Sequence, residues 1–327
     1  MVVISDIIPI TMDIWKSLNH DAILNTVEKV LNEKLSNLVI QRNSYINRVF
    51  ELTKNEHNEK VIVKFYRPDR WNIKEILIEH EFLFKLKDHE LNVIAPLCFE
   101  DQSLFFLDSI PFAIFPKKGG KAMDEFQKDH WQRIGQMLGR LHLIGKTITQ
   151  SQRQLWKPDL VVNKCMNYLL NNNIVPKKYI SSLQNITNLF LEKTKNSMEQ
   201  EKLFLIHGDC HKGNLIHRPD EGLFIIDFDD ICIGPAVQDL WMLLPGKPEN
   251  YETEISWFLK GYETFNKFNL SSLELIPILK VMRILHFSGW CALQRNDKGF
   301  SHHFPQWGTT KYWNELIKDI QETVYLL

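Results

Sequence analysis

The chain predicts an α+β fold of two lobes, a small β-rich N-lobe over residues 1–116 and a larger helical C-lobe over 117–327. Two observations carry this. Short apolar runs with strand-like character crowd the first third around a single helical stretch. Beyond Pro116-Lys117-Lys118-Gly119-Gly120, a breaker cluster, apolar residues recur every three to four positions.

In the N-lobe, Arg48-Val49-Phe50-Glu51-Leu52 predicts a strand. Val61-Ile62-Val63-Lys64-Phe65-Tyr66 predicts its hairpin partner, across turn material at His57-Asn58-Glu59-Lys60. Asn72 begins a helix, with Glu75 placed for a capping box. Its buried stripe is expected at Ile73, Ile76, Leu77, His80, Leu83 and Phe84. Two further strands are expected at Leu104–Leu107 and Phe112–Phe115. In the C-lobe, helices are expected over Trp131–Ile144, Leu160–Asn171, Lys178–Glu199, Val237–Leu244, Ile255–Phe265 and Leu273–Leu293. Two short strands sit among them, one on either side of a polar turn.

Composition narrows the function classes. With 44% hydrophobic and 24% charged residues, the chain falls in the range of ordinary globular proteins and holds enough apolar material for a substantial core. A net charge of −1 without a basic tract points away from nucleic-acid and membrane partners. The start, Met1-Val2-Val3-Ile4-Ser5-Asp6, has no basic signal-peptide region, and no apolar run approaches the ~20 residues of a membrane span. Five scattered cysteines without a CxxC suit a reducing cytoplasm better than a disulfide framework. A cytoplasmic monomer is the expectation.

The chemistry concentrates in Leu205–Leu215, which contains His207-Gly208-Asp209-Cys210-His211-Lys212-Gly213-Asn214, and in Ile225-Ile226-Asp227-Phe228-Asp229-Asp230. Phosphoryl transfer to a hydroxyl needs one carboxylate to orient the acceptor and receive its proton, plus hard oxygen ligands for Mg²⁺ on the phosphates. Asp209 fits the first role; Asn214 and Asp227 fit the second. Gly208 and Gly213 allow the sharp turn between strand ends. Lys64, a lysine inside an apolar strand, is placed to grip the phosphates of ATP, the alternative being an edge-strand lysine. Glu75, Glu79 and Glu81 are all candidates to pair with it, and periodicity does not choose among them. The stretch Gln41–Arg48 occupies the position of a phosphate-covering loop but has no glycine; Ser44 and Asn47 offer donors there, and a plain polar turn explains it equally.

Other readings compete. His207-Gly208-Asp209-Cys210-His211 has the form of an HxDxH hydrolase cluster, but no further His or Cys supplies a complete zinc site. Cys210 beside His211 lacks an orienting partner for a thiol nucleophile, and His207 is expected to pin the loop. Asp239 is expected to cap a helix or brace a loop. Arg283, His286, Trp307 and Trp313 are expected to be core or surface residues. Asp229, Asp230 and Asp239 could line a pocket for a cationic acceptor.

The motif resembles that of the aminoglycoside phosphotransferase and choline kinase family, the small-molecule branch of the protein-kinase-like fold. Its HGDxxxxN brace corresponds to His207–Asn214, its metal acid to Asp227, and its LxxLH helix to Leu138–His142. Asn43–Val49, Val63–Pro68 and Gly234–Leu244 resemble a bacterial subgroup whose members are serine/threonine protein kinases, and the similarity runs from about Asn43 to the C-terminal helices. The resemblance implies Asp209 as proton acceptor, Asn214 and Asp227 as Mg²⁺ ligands, and Ser44 and Lys64 on ATP. It further implies Glu81 as the glutamate that pairs with Lys64, and Phe115–Lys117 as the adenine hinge. It implies an ATP- and Mg²⁺-dependent serine/threonine kinase acting on proteins or on itself in bacterial stress response. The alternative is a small-molecule alcohol kinase. A glycine-rich loop and an activation segment with an APE motif are both missing.

Overall fold

A computed structural model describes residues 14–56, 58–123, 125–148, 151–245 and 251–327. The expectations for the first six residues and for His57 lie outside these. In chain order the elements begin with α1 (His20–Leu31), β1 (Ile40–Arg42), β2 (Arg48–Thr53), β3 (Lys60–Phe65), α2 (Ile73–Asp88), β4 (Phe105–Leu107), β5 (Ile110–Pro116) and β6 (Lys121–Ala122). They continue with α3 (Lys128–Gly145), α4 (Pro158–Asn171), α5 (Lys177–Thr194), β7 (Phe204–Ile206), β8 (Leu215–Arg218), β9 (Gly222–Ile225) and β10 (Cys232–Gly234). The last are α6 (Gln238–Trp241), α7 (Glu252–Tyr262), α8 (Ile276–Gln294), α9 (Phe300–His303) and α10 (Thr310–Leu326).

These elements form two compact units. The first comprises the described residues within Met1–Gln127, Gln150–Gln152 and Lys212–Asp229; the second, those within Lys128–Thr149, Arg153–His211 and Asp230–Leu327. In the first, five antiparallel strands lie in the order β1-β2-β3-β5-β4. Strand alternation sorts the side chains of β3: Val61, Val63 and Phe65 are buried with Ile23, Val27 and Leu31 of α1 in one apolar cluster, so Ile62 and Lys64 point to the opposite face. The helix α1, absent from the sequence reading, is capped by Asn19, whose Oδ1 accepts from Ala22 N at 2.9 Å. On α2 the expected capping box is present, Asn72 and Glu75 bonding each other's backbone N–H.

The units do not divide at residue 116. The hairpin β8–β9 joins the first unit because β6 pairs with β8, Lys121 opposite His217. Asn92 adds two ties, accepting from Ile225 N at 3.2 Å and donating to the Glu221 carbonyl at 2.7 Å. Backbone pairing between segments almost a hundred residues apart is not visible in local apolar periodicity, which explains the misplaced boundary.

In the second unit α3 crosses α7 at glycines. A Cβ on Gly261 would lie 1.9 Å from the Gln132 carbonyl, and one on Gly135 2.1 Å from that of Phe258, so the backbones approach closer than any side chain allows. Helix α4 packs on α8, and α10 packs on α5 and α8. The pair β7–β10 is antiparallel, with Ile206 opposite Cys232. The helix expected over Val237–Leu244 is the single turn α6, and the one expected to end at Glu199 stops at Thr194. Among the described residues no helix is long and apolar enough to cross a membrane.

Candidate active site

Lys64 sits mid-strand on β3, facing α2. Its Nζ donates to Glu79 Oε1 at 3.0 Å and to Asp229 Oδ1. Asp229 also accepts from Asn47 Nδ2 and from Arg70 Nη1, the latter at 3.2 Å. Behind Glu79 the network continues: Tyr66 OH donates to Glu79 Oε1 at 3.3 Å and lies 2.8 Å from His80 Nε2, while His80 Nδ1 bonds Ser103 Oγ at 2.8 Å. Burial opposes the charge on Lys64, but Asp229 and Glu79 outweigh it, with a smaller contribution from Asp227, and hold the ammonium well above its ordinary value. Burial likewise opposes ionisation of Asp229, yet Lys64 and Arg70 draw its carboxyl below the usual range. Glu79, Asp229 and Asn47 are buried and Lys64 and Arg70 partly so, a charged cluster at one point on the sheet.

The structure puts Glu79, not Glu81, against Lys64. Glu81 is exposed and pairs with Lys85 at 2.9 Å, one helical turn on. The buried face of α2 is Ile76, Glu79, His80, Phe82, Leu83 and Leu86, whereas Ile73 and Leu77, expected in the stripe, are 51% and 43% exposed. The face is therefore rotated from the one apolarity alone suggests. The lysine and tyrosine of the sheet supply the polar partners that make a glutamate acceptable inside.

The remaining sequence-predicted contacts are scattered in kind. Ser44 lies half-buried in the β1–β2 loop, and its neighbour Asn47 is tied into the Asp229 cluster and accepts from Arg67 N at 3.1 Å. Phe115 is buried on β5 with its ring centroid 5.9 Å from Lys64 Nζ. The Lys117 ammonium bonds Glu51 at 2.8 Å, and its N–H bonds the Lys60 carbonyl at 3.2 Å. Glu51 also holds Arg42 and Lys60; burial opposes its ionisation, but these three cations bring it down to about 2.

Asn214 and Asp227 belong to the same unit as Lys64. Asn214 is buried, and its carbonyl accepts from Ile226 N at 2.9 Å, which joins the turn that bears Asn214 to the one that bears Asp227. Asp227 is exposed, with φ 65°, a left-handed conformation uncommon outside glycine but tolerated best by Asn and Asp. It is one residue from Phe228, whose ring packs edge-on against Phe82 of α2 at 6.0 Å. A neutral amide oxygen and an exposed carboxylate are the hard donors Mg²⁺ takes alongside phosphate oxygens. Among the described residues no three His, Cys, Asp or Glu side chains gather as a metal cage, so the HxDxH reading has no ligand set.

Asp209 lies in the other unit, in a loop braced from below. Asp239 accepts from His207 N at 2.8 Å, from Gly208 N at 2.7 Å and from His142 Nε2 at 3.0 Å, and His142 Nδ1 bonds Tyr262 OH at 2.8 Å. Gln238 Nε2 donates to the Gly208 carbonyl at 2.9 Å. These bonds give Asp239 the bracing role expected of it, with the histidine of the LxxLH helix as its second partner. Gly208 has φ 82°, and a Cβ there would meet the Asp230 carbonyl at 2.3 Å, so only glycine fits. Asp209 N donates to His207 Nδ1 at 3.3 Å, so His207 pins the loop. The Asp209 carboxylate meets Arg283 Nη2 of α8 at 2.7 Å and lies 3.6 Å from His211 Nε2. Arg283 is thus not a bland core or surface residue. Cys210 is fully buried; desolvation, then the charges of Asp239 and Asp209, push its thiol far up, which rules it out as a nucleophile.

Sequence reasoning missed Asp229, Arg70 and Arg283 as partners. Asp229 carried a signal, a second acid two residues after Asp227; Arg70 and Arg283 carried none beyond their charge.

A lysine–glutamate pair between strand and helix, Asn214 and Asp227 in the same unit and a braced His-Gly-Asp loop are the kind of residues a kinase-type phosphotransferase needs. The chain belongs to the phosphotransferase enzyme family, whose family model matches residues 39–273. It is 33% identical over 279 residues to stress response kinase A of Escherichia coli, covering 83% of this chain and 82% of that protein. It is 31% identical over 290 residues to the serine/threonine protein kinase RdoA of Salmonella typhimurium, covering 87% and 86%. Its fold is that of amicoumacin kinase hAmiN in complex with AMP-PNP, Ca²⁺ and Ami, with a TM-score of 0.67, 20% identity, and coverage of 88% of each chain. The protein-kinase-like α+β fold expected from the motif is the fold observed.

Proposed function

We propose that the chain is an ATP- and Mg²⁺-dependent serine/threonine protein kinase that also phosphorylates itself and acts as a cytoplasmic monomer in a bacterial stress response. The observation that carries the reading is the Lys64–Glu79 ion pair in the unit that also holds Asn214 and Asp227. In this reading Lys64 binds nucleotide phosphates, Asn214 and Asp227 hold Mg²⁺, and Ser44 and the backbone around Phe115 contact ATP. Bound Mg²⁺ would neutralise charge that develops on the phosphates. Five peptide links separate Asp209 from Asn214, which limits their Cα separation to about 18 Å in any conformation. The acceptor oxygen forms its bond to the γ-phosphorus as the bond to the bridging oxygen breaks; ADP leaves, and the acceptor proton passes to Asp209. Arg283 on Asp209 Oδ1 fixes the orientation of that carboxylate.

The names of the relatives support a protein acceptor, since stress response kinase A and a serine/threonine kinase both cover most of this chain. The second reading, a small-alcohol kinase, draws on the fold, which a kinase of the small molecule amicoumacin shares. The test is transfer of label from γ-labelled ATP with Mg²⁺ to a generic protein, to the enzyme itself and to a panel of small alcohols, for wild type and Asp209→Asn. The expectation is label in protein, reduced by about 10²–10⁴-fold in Asp209→Asn with nucleotide affinity kept. Turnover within a few-fold of wild type in that variant refutes Asp209 as base; label confined to small alcohols refutes the protein acceptor.

A further inference from the structure

Resting on the nucleotide-binding reading above, we propose that Lys64, Arg70 and Asn47 together form the subsite for the nucleotide's phosphates, and that the Asp229 carboxylate occupies this subsite until the phosphates displace it. The three donors come from separate segments of one unit: Asn47 from the loop between β1 and β2, Lys64 from β3, and Arg70 from the link between β3 and α2. They meet on one side chain. Lys64 Nζ donates to Asp229 Oδ1, while Asn47 Nδ2 and Arg70 Nη1 donate to Oδ2, the arginine at 3.2 Å.

Burial and bracing make this a formed site. Asn47 and Asp229 are each 5% exposed, and the side chains of Lys64 and Arg70 are 13% and 14% exposed. Asn47 is held from its other end, where Oδ1 accepts from Arg67 N at 3.1 Å, so its amide N–H₂ is fixed toward Asp229. Lys64 is held by Glu79, which Tyr66 OH steadies in turn. The donors are thus positioned by the fold and not by Asp229 alone.

The chemistry of the set selects the ligand. An ammonium and a guanidinium have no acceptor atom, and the amide oxygen of Asn47 is engaged by Arg67 N. What these three groups turn toward Asp229 is donors, which calls for an anion with several oxygens. A guanidinium pairs with carboxylate and with phosphate in the same forked geometry, so the two Asp229 oxygens stand where two phosphate oxygens would. A nucleotide's phosphate chain brings more than the single negative charge of a carboxylate to the same cations, and Coulomb attraction grows with that charge. The phosphates displace the aspartate on these terms, and the free energy consumed in the displacement lowers the affinity observed. A nucleoside without phosphates has nothing to place here.

The experiment measures ATP and adenosine binding by calorimetry in EDTA, so that no metal bridges protein and phosphate. The proteins are wild type, Arg70→Gln, Arg70→Lys and Asp229→Asn. Arg70→Gln should weaken ATP binding by about tenfold, the worth of a charge-assisted hydrogen bond, and leave adenosine within about twofold. Arg70→Lys should recover part of the loss. Asp229→Asn, which removes the competing charge, should tighten ATP severalfold and again leave adenosine within about twofold. A clamp that only ties the loop to the sheet would move both ligands alike, so an unchanged ratio of ATP to adenosine affinity in Arg70→Gln overturns the subsite. Weaker ATP binding in Asp229→Asn overturns the displacement. Should Asp229→Asn not fold, Asp229→Ser makes the same comparison. Wild type that binds neither ligand, nor ATP with Mg²⁺, removes the nucleotide reading and this inference together; label transferred by wild type while the ratio stays fixed removes this inference alone.

Discussion

The replacement Glu79→Gln against Glu81→Gln isolates the one place where the residue expected from motif position and the residue chosen by geometry differ. Glu79 is 1% exposed and its Oε1 accepts both from the Lys64 ammonium at 3.0 Å and from Tyr66 OH at 3.3 Å. Removing one partner of a buried ion pair costs about 3–5 kcal/mol. Lys64 keeps Asp229, and a glutamine keeps one acceptor oxygen, so the lower end, about 3 kcal/mol, is the expected loss. Glu81 is exposed and its pair with Lys85 is a surface contact one turn apart, worth about 0.3–0.5 kcal/mol. The difference of about 2.5 kcal/mol is roughly 70-fold in an opening equilibrium. Native-state hydrogen exchange of amides on β3 and α2 reads that opening locally, without requiring the whole chain to unfold in one step. The nucleotide KM should rise in Glu79→Gln and stay within twofold in Glu81→Gln. Equal losses in the two variants, or a larger one in Glu81→Gln, would refute the pairing.

Gly208→Ala must place a side chain at φ 82° and 2.3 Å from the Asp230 carbonyl; the conformation alone costs about 1–2 kcal/mol, so turnover should fall by more than tenfold while nucleotide affinity changes little. Acid unfolding should follow the buried carboxylates. Glu51 is lowered from 4.5 to about 2 and Asp229 is lowered as well, so the unfolded chain takes up protons first; stability should be flat from neutral pH to about 4.5 and decline from there toward 2. Urea midpoints across that range in wild type and Glu51→Gln check this, the variant losing part of the acid slope; an identical slope would contradict it.

Much of the candidate site was legible because its parts are local. The Asp209–Asn214 spacing, the acid at the end of the following strand, the lysine inside an apolar run and the capping box on α2 each occupy a few consecutive residues. The loop brace was half legible: Asp239 had the right neighbours to cap or brace, but only the fold shows that His142, ninety-seven positions away, shares its carboxylate. The buried face of α2 was misjudged because apolarity is a poor guide where a glutamate goes inward to meet charge. The Arg283 contact was not legible at all, since a lone arginine on an apolar helix looks the same whether or not a carboxylate faces it.

What the chain determines by itself is therefore the type of chemistry, through residues close enough along the backbone that covalent geometry holds them together. What tertiary structure decides is the pairing of charges: Glu79 and Asp229 on Lys64, Asp239 under the loop, Arg283 on Asp209. Opposite charges gain most where water is excluded, and which side chains lose their water depends on contacts between residues 15 to 165 positions apart.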